Sequence, residues 1–118
     1  MILNGRVINP GELSTRVQLA PRVMPADAGG FRAPAPDMDR AVGTWARWTN
    51  AHGSEIYTAQ AAGVTALATV LVRFRADLDA TWYISNDNGA SWYEIVSLDD
   101  IANRHEYIEL KVRLWKAG

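Results

Sequence analysis

Tyr107-Ile108-Glu109-Leu110-Lys111-Val112-Arg113-Leu114-Trp115-Lys116 is the stretch that decides the fold class. Polarity alternates at every step. Ile108, Leu110, Val112 and Leu114 point one way, and Glu109, Lys111 and Arg113 the other, as in a strand half buried on one face. Trp115 follows the outward parity and is therefore expected to be the best exposed aromatic. Upstream, Ala66 to Arg75 repeats the pattern: Ala68, Val70, Val72 and Phe74 make one face, and Thr69, Leu71 and Arg73 the other. Thr81–Ser85 and Ser91–Leu98 read as two more strands around Asn86-Asp87-Asn88-Gly89, a hairpin signal because Asn and Gly tolerate positive φ.

The first half is sparser. Leu13 to Leu19 is a strand with Leu13, Val17 and Leu19 on one side and Arg16 and Gln18 on the other; Pro21 ends it, since proline cannot continue a ladder except at an edge. Val42 to Thr49 is another, with Trp45 and Trp48 on opposite faces. Ser54 and Glu55 open a short helix running to about Ala62, with Gly63 as its stop. Between Arg22 and Ala41 lie about 20 residues with no convincing secondary structure, a length that is usually functional or disordered. There Ala33-Pro34-Ala35-Pro36 favours an extended chain that cannot join a sheet. The expectation is one all-β domain over residues 1–118: a small antiparallel β-sandwich or partly open β-barrel of about six strands, with one short helix and one long loop. Residues 1–9 form an N-terminal arm, with Asn4-Gly5 as a turn. Val17, Leu19, Val70, Val72, Phe74, Ile95, Leu110 and Val112 are expected to share one core.

Composition narrows the function. A chain of 118 residues holds a core without staples. Cysteine is absent, which removes disulfides, thiolate zinc sites and cysteine nucleophiles. No apolar run approaches the roughly 18 residues of a membrane span, and the N-terminus lacks the basic start and apolar core of a signal peptide. Twelve Lys and Arg against 13 Asp and Glu give a net charge of −1, which disfavours tight nucleic-acid binding by the monomer.

Candidate chemistry is thin. A calcium loop around Gly89 would need acids where Ile84 and Ile95 stand, so a plain turn is the better reading. His52 and His105 have no second ligand at metal spacing and read as surface histidines. Asp77 and Asp79, and Asp99 and Asp100, could be paired acids, but solvated turn acids are the ordinary case. No nucleophile triad, phosphate loop or dinucleotide fingerprint appears, so no catalytic, metal or cofactor-binding residue is assigned and no cofactor is expected. The five tryptophans could stack sugar rings, anchor a protein interface, or simply fill a small core.

An ordered series of residues resembles the head–tail joining proteins of long-tailed bacteriophages, the head-closure or stopper proteins of the neck. It starts at Gly11-Glu12-Leu13 and Arg16-Val17-Gln18-Leu19, and continues through Asp27 with Gly29-Gly30, Thr44-Trp45-Ala46-Arg47 and Gly53-Ser54-Glu55. Val72-Arg73-Phe74-Arg75, Trp92-Tyr93-Glu94-Ile95, Arg104 and Tyr107-Ile108-Glu109-Leu110 complete it. The sequence departs from that pattern in a longer N-terminal extension (Met1 to Ile8), a larger turn around Asn88 and a Pro- and Ala-rich stretch from Arg32 to Arg40. The resemblance implies a non-enzymatic virion protein made in the host cytoplasm. It also implies a homo-oligomer, expected as a dodecameric ring, that closes the portal or adaptor channel and offers a platform to a tail terminator or other tail protein. DNA would pass its lumen without sequence-specific binding, and no membrane is involved. Phe31, Arg32, Asp37, Asp39 and Arg40 are the candidate partner or channel residues of the long loop, and Val7 and Ile8 those of an inter-subunit arm. A carbohydrate-binding or other β-sandwich recognition module is the alternative.

Overall fold

The computed structural model describes residues 2–3, 6–7, 9–25, 33–50 and 67–115, the first two pairs as backbone. The expected helix from Glu55 to Ala62 lies outside the described residues. In chain order the strands are β1 (Ile2–Leu3), β2 (Arg6–Val7), β3 (Thr15–Ala20), β4 (Arg22–Val23), β5 (Ala35–Pro36), β6 (Val42–Asn50), β7 (Ala68–Arg73), β8 (Tyr83–Ser85), β9 (Tyr93–Asp100) and β10 (Tyr107–Leu114). Six of them form a closed antiparallel barrel in the order β10-β7-β6-β3-β8-β9. Every barrel strand therefore has a partner on both sides, and the barrel itself leaves no edge to template aggregation. Of the two expected architectures the chain adopts the barrel, fully closed.

The interior is what alternation requires. Val17 and Leu19, Ala46, Ala68, Val70 and Val72, Ile84, Ile95, and Ile108, Leu110 and Val112 converge in one buried cluster, with Phe74 packed against it from a half-exposed position. Trp48 on β6 and Tyr93 on β9, strands on opposite sides of the barrel, meet edge to face with ring centroids 4.9 Å apart. A β-bulge sits in β9. Val112 pairs with Ile95 but Lys111 pairs with Ser97, which leaves Val96 as the extra residue. That insertion lets Ile95 and Leu98, three apart, both face inward.

Two further apolar clusters lie on the outer face, where parity alone would put polar residues. Leu71 and Tyr107 point away from the core and are covered by Ile101 and by Leu13, which was expected inside with Val17 and Leu19 but precedes β3, closing the turn Pro10–Glu12, and so packs outside the barrel. Ala20, Tyr83 and Trp92 form the second, joined by Ala41 and Trp115. Here the expectation for Trp115 fails: its parity is outward, yet it packs on Tyr83 with centroids 5.2 Å apart, and its backbone N–H donates to the Trp92 carbonyl at 2.9 Å. The exposed indole is Trp45, at 52%. An outward position is solvent only where nothing else covers it.

Two loop expectations also change. Ala35–Pro36 does join a sheet, pairing with Arg22–Val23 (Arg22 opposite Pro36, Val23 opposite Ala35). A two-stranded ribbon consists only of edges, so Pro36 can sit where no N–H is needed. Asp99 and Asp100 do not follow their strand but end it, and Asp99 lies directly opposite Glu109.

Candidate functional site

The long excursion between β3 and β6 is the tip of a single hairpin. Leu19 pairs with Val42 at the end of the β3–β6 ladder, and beyond Pro21 the same two arms pair again as β4 and β5. The Asp37 N–H donates to the Pro21 carbonyl at 2.8 Å and ties the arms at the root. Asp37 then caps the 3-10 turn Met38–Arg40, accepting from the Asp39 N–H at 3.2 Å and from Arg40 Nε at 2.6 Å. The Arg40 side-chain hydrogen bond, helped by the attraction of its charge and the backbone N–H groups, holds the Asp37 carboxyl below its ordinary value against the opposing cost of desolvation. Of the expected loop residues, the structure therefore brings Asp37, Asp39 and Arg40 together in one capped turn. Phe31 and Arg32 lie outside the described residues. In the arm, Val7 pairs with Ile2 and Leu3 with Arg6, so the chain's start is a small hairpin; Ile8 lies outside the described residues.

The root of the long hairpin rests beside a second hydrogen-bonded turn. Asn88 and Gly89 have φ of 60° and 89°, the left-handed region in which Asn and Gly are least strained. Buried Ser85 donates through Oγ to Asp87 at 2.7 Å and accepts from the Gly89 N–H at 2.9 Å. Asp87 accepts in turn from the Ser91 N–H at 2.9 Å and from the Ser91 hydroxyl. Hydrogen bonds from Ser91 first, then Ser85, keep the Asp87 carboxyl below its ordinary value. A Cβ on Gly89 would stand 3.5 Å from Met38 Cε and 3.7 Å from Trp92, so the two turns face each other. Exposed Met24 and Met38 flank this root; sequence reading passed over both, because isolated methionines in a polar loop carry no periodic signal.

The other expected chemical residues are held in local structure. His105 takes Asp100 at 2.5 Å and lies 4.7 Å from the Phe74 ring; Asp77 is bound by Arg75 at 3.0 Å. His52 lies outside the described residues. Trp48, Trp82, Trp92 and Trp115 all have apolar neighbours, so the aligned aromatic platform that a sugar ring needs is not found among the described residues.

The described residues thus form a closed barrel, a two-stranded ribbon continuing the β3 and β6 arms, and a small ribbon at the chain's start. Among the solved structures that share this fold are two of note. One is the solution structure of protein SF1141 from Shigella flexneri 2a, at 19% identity and TM-score 0.60, covering 94% of this chain and all of that one. The other is a chain in the virion of a native gene transfer agent particle, at 19% identity and TM-score 0.53, covering 86% of this chain and 94% of that one. No curated protein matches in sequence. The family model for the phage head completion protein does, across residues 8–114, from just before the first barrel strand to the end of the last. With the whole barrel inside that match, this chain belongs to the phage head completion proteins, structural components of the virion.

Proposed function

We propose that the protein forms a homo-oligomeric ring in the neck of a tailed phage, closes the portal or adaptor channel after DNA packaging, and supplies the platform on which a tail terminator or other tail protein docks. The family match over residues 8–114 carries this reading. The shape supports it: a barrel without free edges resists uncontrolled strand addition, while the two arms between β3 and β6 continue past the barrel as the β4–β5 ribbon and offer a loop for contact with a neighbour. The near-neutral charge suits a lumen that passes DNA without holding it. The role is structural rather than catalytic. Deleting the gene and imaging the lysate tests it. Empty or leaking heads beside complete free tails are the expected result, and normal DNA-filled virions would overturn it.

A further inference from the structure

The outer surface of the barrel carries two apolar clusters roofed by the chain itself. It also carries two large apolar side chains that stay open, Trp45 at 52% and Val96 at 50% exposure. They lie on opposite sides. In the cyclic order β10-β7-β6-β3-β8-β9, the β3–β6 seam is half-way round from the β9–β10 seam. Trp45 is on the first and the Val96 bulge on the second.

The charges of the two faces are complementary. Arg16 stands opposite Trp45 in register and lays its guanidinium over the indole, 5.4 Å from the ring centroid, with no carboxylate partner among the described residues. On the other face Asp99 and Glu109 are directly opposed across the strands, an arrangement in which like charges repel. Neither has a cation partner among the described residues, since Lys111 reaches Thr69 at 2.7 Å and Arg113 is taken by Glu94.

We propose that these faces meet between subunits. The β3–β6 face of one copy docks on the β9–β10 face of the next, with Arg16 received by Asp99 and Glu109 and Trp45 set against Val96. The occupant is a second copy of this chain because the complement of each face is on the same molecule. Two unlike patches half-way round a subunit make a head-to-tail contact, which closes into a ring when each step turns by a fixed angle. This inference rests on the ring reading above and names its contact.

The absence of native cysteine allows a direct test in assembled particles. Gln18→Cys lies on the first face and Ser97→Cys on the second. Oxidising particles that carry both is expected to give a ladder of oligomers; no ladder, or dimers from either single variant, would overturn the head-to-tail contact. Independently, Arg16→Glu is expected to lower the yield of tailed, filled particles by about tenfold or more, and adding Asp99→Arg with Glu109→Arg to bring it back within about threefold. If Arg16→Glu lowers the melting temperature, the Asp99→Arg, Glu109→Arg pair alone carries the same test and is expected to show the same loss. Averaged images of the wild-type neck separate the two levels. A ring that persists with normal yield in the charge-reversed variants defeats the proposed contact and leaves the ring standing, whereas no ring in the wild type defeats both.

Discussion

Gly43 shows how much one missing atom group can decide. It sits within β6, opposite Gln18, and a Cβ there would collide with the Arg16 guanidinium. The bare backbone lets Arg16 lie across the strand and reach Trp45, a cation held over a ring face. Gly43→Val is expected to push Arg16 off Trp45 while keeping or slightly raising stability, because a β-branched residue suits a strand. Loss of the ring-current shift on the Arg16 Nε–H in NMR would report it; an unchanged shift would mean the glycine is not what lets Arg16 lie flat. Asp87 offers a second test at this scale. Its folded carboxyl sits below the usual aspartate value of 3.8 because Ser91 and Ser85 donate to the charged form. Its contribution to stability is therefore complete above that value, declines as the pH falls below it, and is gone below the folded value. Asp87→Asn is expected to lower the melting temperature at neutral pH and to flatten its fall on acidification below about pH 4. A parallel acid limb in variant and parent would show that Asp87 is not linked to folding.

Elements depend on register. Because side chains alternate with a period of two, the single extra residue at Val96 reverses the parity of everything before it in β9. Deleting Val96 would turn Tyr93 and Ile95 outward and Glu94 inward, or break the pairing with β10. The deletion is expected to cost about 3 kcal/mol or more, whereas Val96→Ser, which keeps the bulge, is expected to cost under about 0.5 kcal/mol. Urea denaturation of the two variants measures the contrast, and equal costs would mean that the bulge does not set the register. The central strand β7 makes the complementary case. Val72 is fully buried between Ala46 and Ile108, its neighbours in the ladder. Val72→Asp would place an unpaired charge in the core and is expected to unfold the chain, a loss of about 4 kcal/mol or more. A native-like melt would show that this face is not the core.

At the scale of the whole molecule the question is which projections touch other proteins. Replacing residues 26–33 with a Gly-Ser linker removes Phe31 and Arg32 but spares the β4–β5 ribbon and the Asp37 cap, so the barrel should melt as before. DNA retention or tail attachment is expected to be lost, as electron microscopy of the particles would show; intact virions at normal yield would make the tip dispensable. Removing residues 1–9, which include the β1–β2 hairpin, is expected to weaken assembly with the melting temperature within about 2 °C of the parent, since no barrel strand is touched. Full infectivity of that truncation would remove the arm from the account.

Alternation alone determined the all-β class, the inward faces of β3, β7 and β10 and their core residues, because a strand half buried on one side writes its geometry directly into residue order. The Asn88-Gly89 turn was legible for the same local reason, a backbone conformation that few residues accept. Closure was not legible, since strand order depends on which distant edges meet and no local pattern encodes it. The pairing of Pro36 required the opposite arm to arrive with no need of its N–H. Parity turned Trp115 outward and set Trp45 and Trp48 on opposite faces, and only the packed molecule decided which indole stays open. Tyr83 and Trp92 cover Trp115, while Trp45 has the Arg16 guanidinium over it and stays 52% exposed, because shelter on an outer face comes from segments remote in sequence.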